Sequence, residues 1–162
     1  MDDAVDYAIE VRTLRAQPVA GIRAVAKPEA IGATLADLLP EVLAYLDREG
    51  QTPAGPPYNR YHGAQEDGIA LEAGFPIAIP IVGNGRVEGG ELPAGPAAIT
   101  LHRGSYPGLR DAYRALGLWL KAEGRALHGL PWEFYTIGPD QEDDPERWRT
   151  EVVWPIQGGA AR

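Results

Sequence analysis

The second half of this sequence repeats the first half at a nearly constant offset. Three residues recur 74 positions later, as the pairs Gly50 and Gly124, Pro57 and Pro131, and Tyr61 and Tyr135. At the same offset, Gly21 falls on Gly95 and Val25 on Ile99. Further along the chain, the segment 71–77 matches the segment 150–156 at a slightly larger offset. This repeat predicts two similar structural units, and the seam between such units is a natural place for a ligand pocket.

The two copies differ at one position that bears on chemistry. Asn59 in the first copy corresponds to Glu133 in the second, so a carboxylate is added to one side of an otherwise near-symmetric arrangement. In a strand, successive side chains point to opposite faces, so Glu133 and Tyr135 share one face. The repeat places Asn59 and Tyr61 on the corresponding face of the first copy.

Length and composition limit the classes of function. A chain of 162 residues fits a single domain over 1–162, and a net charge of −8 argues against direct binding of nucleic acid or an anionic membrane. The absence of cysteine excludes disulfides, thiolate metal sites and cysteine nucleophiles. The acidic start of the chain has no apolar signal core, and no apolar run reaches the ~18 residues of a membrane span. We therefore expect a cytoplasmic protein.

The pattern of apolar residues predicts an α+β fold built from duplicated βαββ units. We expect an antiparallel sheet with two main helices on one face, and the repeat makes the seam between the halves the candidate place for a ligand cleft. The repeats span about 7–82 and 92–156 and are joined by a glycine-rich linker over 83–91, predicted to be a turn or a flexible connection. An interior proline disrupts a helix, so Pro40 predicts a kink or a break. The predicted helices are 29–49 and 107–123, and the predicted strands are 7–14, 19–26, 57–62, 69–82, 97–101, 132–137 and 148–156.

The order and spacing of several segments resemble the GyrI-like small-molecule-binding domains, which are also the effector-binding domains of AraC-type and MerR-type multidrug regulators. The resemblance covers nearly the whole chain. The matching segments are 55–63 (GPPYNRYHG), 102–106 (HRGSY), 132–135 (WEFY) and 150–156 (TEVVWPI).

This resemblance implies a cleft between the halves in which a glutamate of the second half lies beside aromatic side chains. That glutamate matches Glu133, and the two family tyrosines match Tyr135 and Tyr61. Multidrug members bind bulky aromatic cations, and other members bind gyrase or hydrolyse the strained cyclopropane rings of DNA-alkylating natural products. We see no room here for the helix-turn-helix domain of the regulators, so we expect a standalone form.

Three functions follow as hypotheses. The first is a protein that binds or sequesters an aromatic, drug-like small molecule, either cationic or neutral, with Glu133, Tyr135, Tyr61 and Asn59 as ligand-binding residues. The second is a hydrolase that opens cyclopropane rings, with Glu133 activating water and Tyr61 or Tyr135 stabilising an oxyanion. The third is a protein-interaction module whose partner is a regulator or gyrase.

Simpler interpretations of the same residues stay open. Glu133 is alternatively a solvated strand residue paired with Arg60 or Arg149, and the two tyrosines are packed aromatics. Trp148 and Trp154 either line the cleft or seal the core. Glu72 and Glu151 match one another across the repeat, which favours a structural role for both. The three histidines lie on separate segments without metal-ligand spacing, so we expect neither a metal site nor a cofactor.

Overall fold

The computed structural model describes residues 7–158, and their contacts divide them into two compact units. One unit, here called the N-unit, comprises residues 15–94. The other, here called the C-unit, comprises residues 95–158 together with the first described residues, 7–14. The first strand therefore packs with the second repeat, although its place in the sequence predicts that it belongs to the first repeat, about 7–82.

The N-unit is an antiparallel sheet with one long helix packed on it. Its elements are β2 (Gln17–Ala26), α1 (Ile31–Arg48), β3 (Tyr58–Gln65), β4 (Gly68–Pro76), β5 (Gly83–Asn84) and β6 (Val87–Leu92). A short 3-10 turn over Pro28–Ala30 leads into the helix. The strand order is β3-β4-β2-β6-β5, and α1 contacts β2 and β4.

The C-unit has the same internal plan. Its elements are β1 (Ile9–Leu14), β7 (Gly95–Arg103), α2 (Leu109–Glu123), β8 (Trp132–Ile137) and β9 (Arg149–Pro155), and a 3-10 turn over Tyr106–Gly108 precedes α2. The strand order is β8-β9-β7-β1, all neighbours are antiparallel, and α2 contacts β7. The triplet β8-β9-β7 thus matches β3-β4-β2, and β1 takes the place beside β7 that β6 takes beside β2. The predicted α+β fold with antiparallel strands and two main helices is confirmed.

Each helix buries one stripe of apolar side chains against its own sheet, since residues three and four apart lie on one face of a helix. In α1 the buried residues are Leu38, Val42, Tyr45 and Leu46, and in α2 they are Ala112, Leu116 and Leu120. The α1 stripe packs in the cluster that includes Ile22, Leu71 and Phe75, and the α2 stripe packs with Ala98, Val152 and Ile156. Burying these stripes is the main driving force for docking each helix.

Both helices end in the same motif at the predicted glycines. Gly50 and Gly124 adopt φ angles of 72° and 64°, which favour glycine because a Cβ would crowd the backbone. The amide of Gln51 then donates to the Leu46 carbonyl, and the amide of Arg125 donates to the Leu120 carbonyl, each at 2.9 Å. The helix ends therefore keep the offset that the repeat shows in the sequence.

Strand pairing places several matched residues of the two copies at equivalent positions of their units. Asn59 lies opposite Ala73, and Glu133 lies opposite Val152, so the two offsets found in the sequence agree with one another. The pairing register also shifts at the equivalent place in each unit, just after Tyr61 in β3 and just after Tyr135 in β8. Asn59 and Glu133 therefore occupy the same position in their respective units.

The upstream alignment is wrong, however. Pairing of β2 with β4 and of β7 with β9 places Gly21 opposite Gly74 and Ile99 opposite Val153, so Gly21 corresponds to Ile99 rather than to Gly95. The match of Val25 to Ile99 fails for the same reason. The cause is an extra turn at the start of α1, which shifts everything before it. Helix α1 has 18 residues and α2 has 15, whereas their buried residues still align at the offset of 74 found in the sequence.

Two other expectations need correction. The segment 83–91, predicted to be a turn or a flexible connection, has its turn inside a β-hairpin, because β6 pairs with β2 along Gln17 to Gly21 and β5 pairs with β6. Pro40 does not break the first helix, which runs unbroken through it, and the proline ring is exposed. A helix tolerates the lost backbone hydrogen bond when its opposite face is well packed.

Candidate functional site

The Glu133 side chain is buried in the C-unit on the side of the sheet that packs against α2. It is 2% exposed and lies opposite Val152, a member of the apolar cluster beneath that helix. The alternation along β8 places Glu133 and Tyr135 on this side and Trp132 on the other. The interpretation of Glu133 as a solvated strand residue is therefore wrong, and Arg149 donates instead to the carbonyls of Glu146 and Trp148.

Two tyrosine hydroxyls hold the Glu133 carboxylate. The Tyr113 hydroxyl of α2 donates to Oε2 at 2.5 Å, and the Tyr135 hydroxyl of β8 donates to Oε1 at 2.7 Å. A buried carboxylate is costly unless its oxygens are hydrogen-bonded, and bonds to a charged acceptor are stronger than neutral ones. The two donors therefore fix both the position and the orientation of the charge.

The two tyrosines that contact this carboxylate each belong to a group of packed aromatic rings. Tyr106 meets the edge of Tyr135 at 5.7 Å between centroids and stacks on Trp148 at 4.9 Å with an interplanar angle of 29°. Tyr113 meets Trp154 edge-on at 5.5 Å. Such edge-to-face and stacked pairs are favourable ring geometries. The result is an aromatic cluster, Tyr106, Tyr113, Tyr135, Trp148 and Trp154, built around one acidic group.

The two indoles of this cluster are anchored by their N–H groups. Trp148 donates to the Glu142 carbonyl at 2.8 Å, and Trp154 donates to the Gly129 carbonyl at 3.2 Å. The Glu142 contact ties the Trp148 indole to the acidic loop between β8 and β9, which includes residues 140–144. It contains a 3-10 turn over Pro145–Arg147 whose first turn is capped by the Asp144 side chain. The loop therefore helps to position Trp148.

The Tyr106 hydroxyl stays protonated over a wide pH range. Burial raises its pKa above the ordinary value of 10.0, and the negative charges of Asp140 and Glu133 raise it further. The Tyr106 hydroxyl and the Asp140 carboxylate both lie beside Gly138, in the segment that follows β8. Tyr106 is thus a neutral phenol in a negative electrostatic field.

Asn59 and Tyr61 belong to the other unit. Asn59 is fully buried in β3, and both its amide nitrogen and its amide oxygen lack a hydrogen-bond partner among the described residues. Tyr61 is half-buried two residues later, opposite Leu71. The structure thus brings Glu133, Tyr135 and the two tryptophans together within the C-unit, whereas a role for Asn59 and Tyr61 in ligand binding stays a prediction.

Sequence analysis missed Tyr106 and Tyr113 as members of this cluster. Tyr113 lies within the predicted helix 107–123, and Tyr106 ends the segment HRGSY before it. The repeat held a usable signal, because the buried stripes align Tyr113 with Leu39 of α1. The gain of a hydroxyl at this helix position is visible in the sequence, whereas its contact with Glu133 is visible only in the structure.

Glu72 and Glu151, which match across the repeat, have different surroundings. Glu72 is 8% exposed, accepts a hydrogen bond from the Tyr58 hydroxyl, and its Oε1 lies 2.9 Å from Nε2 of His62. Burial first, and then the Glu72 charge and hydrogen bond, raise the pKa of Tyr58 far above its ordinary value of 10.0. Glu151 is instead partly exposed and lies 3.2 Å from Arg12. Glu72 thus forms a second buried polar cluster, in the N-unit.

Within residues 7–158, no three histidine or acidic side chains converge in a way that would hold a metal ion. His102, which is buried, uses Nε2 to donate to the Ser105 carbonyl at 2.8 Å and has the Tyr7 hydroxyl 3.0 Å from Nδ1.

Neither α-helix of this part of the chain combines the length and apolarity needed to cross a bilayer.

Solved structures share this fold at low sequence identity. The EcmrR C-terminal domain is 22% identical with a TM-score of 0.83, and the match covers 94% of this chain and 99% of that one. In the EcmrR–DNA complex, the chain spans only 58% of the length of EcmrR. SAV2435 bound to tetraphenylphosphonium is 12% identical with a TM-score of 0.65, covering 95% of each chain. A hydrolase from Listeria innocua is 13% identical with a TM-score of 0.62, covering 92% of this chain and 91% of that one.

Sequence comparison identifies the family directly. None of the curated proteins compared with this chain matches it significantly. The sequence model of the GyrI-like small-molecule-binding domain, however, matches residues 7–157, nearly the whole chain. The chain belongs to the family of GyrI-like small-molecule-binding domains.

Proposed function

We propose that this domain binds a bulky aromatic cation, with Glu133 as the counter-charge and the aromatic cluster as the contact surface. One observation carries the proposal: a carboxylate 2% exposed is held by two tyrosine hydroxyls among five aromatic side chains. Binding of such a compound would sequester it or sense its presence.

The physical argument combines charge and ring contacts. A ring face attracts a cation with about 0.5–2 kcal/mol, and the attraction rises as water is excluded. A carboxylate in a dry environment also attracts an opposite charge more strongly than it would in water. A ligand that is both cationic and aromatic gains from both effects, whereas a neutral or anionic ligand of the same shape gains from ring packing alone.

The comparisons support this class of ligand. Membership of the family supports small-molecule binding, and the ligand of SAV2435 is a cation with four phenyl rings. At 12% identity that structure shares only the fold with this chain. The assignment of a cation to this domain therefore depends on Glu133 and the rings around it.

Two ligands of matched shape and opposite charge test the proposal. Tetraphenylphosphonium and tetraphenylborate both present four phenyl rings, and only the first is a cation. We expect saturable binding of tetraphenylphosphonium, measured by calorimetry and by quenching of tryptophan fluorescence, and much weaker binding of tetraphenylborate. Equal affinity for the two ions, preference for the borate, or binding of neither would overturn the proposal.

Hydrolysis of a strained ring is the second candidate, and the same glutamate would carry it. The fold is shared with a hydrolase from Listeria innocua at 13% identity. Each Glu133 oxygen already accepts a hydrogen bond from a tyrosine, so activation of water there would have to displace or share one of these donors. Incubation with a cyclopropane-bearing DNA-alkylating compound separates the two functions, because an enzyme yields the hydrated ring-opened product and a binding protein returns the compound unchanged.

A further inference from the structure

Thr150 carries a buried hydroxyl that the protein does not satisfy. The residue is fully buried in β9, and its Oγ1 has no hydrogen-bond partner among the described residues. It lies directly opposite Tyr135 of β8 and opposite His102 of β7. Cross-strand partners share one face of a sheet, so Thr150 is on the same side as Tyr135 and Glu133.

The polar groups beside Thr150 are engaged elsewhere. Tyr135 donates its hydroxyl proton to Glu133, and both ring nitrogens of His102 have partners. Two other threonines of the C-unit, Thr100 and Thr136, donate to backbone carbonyls at 2.8 and 3.1 Å. Thr150 differs from both in having no acceptor among the described residues.

An unsatisfied buried hydroxyl costs free energy, because it loses its hydrogen bonds to water and gains none in return. Valine has nearly the same shape as threonine and would fill this position without that cost. A hydroxyl kept in such a place needs an explanation, and a group supplied from outside the protein is a direct one.

We infer that the Thr150 hydroxyl binds a polar group of the ligand and selects compounds that carry one beside their aromatic rings. This inference rests on the proposed function of the Glu133 site and adds a second requirement to it. A ligand hydroxyl, carbonyl or amine satisfies Oγ1, which both donates and accepts. The favoured ligand class is thus an aromatic cation that bears a hydrogen-bonding substituent.

A matched pair of probes tests this directly. Tetraphenylphosphonium has no hydrogen-bonding group, whereas (4-hydroxyphenyl)triphenylphosphonium differs from it by one hydroxyl. We expect the wild-type protein to bind the hydroxylated probe more tightly. We expect Thr150→Val to weaken binding of the hydroxylated probe by about three- to tenfold, the value of one neutral hydrogen bond. Binding of tetraphenylphosphonium should stay unchanged, and Thr150→Ser should keep the preference.

Three results would overturn the inference. They are equal affinity of the wild type for the two probes, a loss in Thr150→Val that is the same for both probes, and no loss for the hydroxylated probe. Thermal unfolding checks the variant, which should be at least as stable as the wild type, and Thr150→Ala serves if the valine variant does not fold. Failure of the wild type to bind either probe would instead remove the proposed function, and this inference with it.

Discussion

The Tyr113 hydroxyl donates a 2.5 Å hydrogen bond to Oε2 of Glu133 and so joins helix α2 to strand β8 inside the C-unit. The contact couples packing to the candidate site. Tyr113 follows Ala112, one of the buried residues by which α2 packs on its sheet. Packing of the helix therefore places the Tyr113 hydroxyl beside the carboxylate. The position of the charge therefore depends on the same interactions that stabilise the unit.

Loss of this hydroxyl should destabilise the protein. We expect Tyr113→Phe to lower the free energy of unfolding by about 1–3 kcal/mol, because it removes a donor from a buried charged acceptor. The same substitution in a Glu133→Gln background should cost less, since a neutral amide oxygen is a weaker acceptor. Urea unfolding of the four proteins of this double-mutant cycle measures the coupling. An equal cost of Tyr113→Phe in both backgrounds would contradict the contact.

Tyr58 should make stability fall at high pH. Burial and the neighbouring Glu72 raise the pKa of its phenol in the folded state above 10.0. Above about pH 10 the unfolded chain releases this proton while the folded protein keeps it, so stability should decline by about 1.4 kcal/mol per pH unit for this one group. Below pH 10 both states keep the proton, and this dependence vanishes.

The Tyr58→Phe variant isolates this effect. Above pH 10, the free energy of unfolding of this variant should fall less steeply with rising pH than that of the wild type. Urea unfolding at a series of pH values measures both. Spectroscopic titration of the folded Tyr58→Phe variant should likewise show one fewer tyrosine hydroxyl that resists ionisation than the wild type shows. An unchanged slope in the variant would show that Tyr58 ionises normally in the folded state.

Asn59 predicts a stabilising substitution. Both polar atoms of its buried side chain lack partners among the described residues, so Asn59→Leu should raise the free energy of unfolding by about 1–3 kcal/mol. If Asn59 also contacts the ligand, as the repeat predicts, the same variant should lose affinity for tetraphenylphosphonium. Asn84→Leu, at an exposed position of β5, is the matched control and should change stability by less than about 0.5 kcal/mol. A less stable Asn59→Leu protein would mean that the amide is satisfied.

The sequence predicted the strand positions well where the repeat and the alternation agreed. Glu133 and Tyr135 share one face as expected, because the side-chain period of a strand is fixed by its backbone. The alignment of Gly21 with Gly95 failed because one extra helical turn shifts the frame, and spacing alone does not show where an insertion lies. The hairpin over 83–91 was not predicted, because a glycine-rich composition is not typical of a strand. A strand forms here because β6 pairs with the edge of β2.

The site was harder to predict than the fold. Glu133 was found because it breaks the symmetry of the repeat, whereas its partner Tyr113 lies on a different element and 20 residues away in sequence. A hydroxyl on a helix and a carboxylate on a strand meet only through tertiary packing. The unsatisfied Thr150 gave no signal at all, since a missing hydrogen bond is visible only when every neighbour is placed.

The affinity of a Glu133→Gln variant for tetraphenylphosphonium is the most direct measurement of what this carboxylate does. Glutamine keeps the shape and removes the charge, so we expect affinity to fall by about 10- to 100-fold, the value of a charged contact. Glu151→Gln removes an equal charge from the neighbouring strand, where the carboxylate is partly exposed beside Arg12, and should leave affinity within about twofold. A Glu133→Gln protein that is folded and binds the cation as tightly as the wild type would show that Glu133 is not its counter-charge.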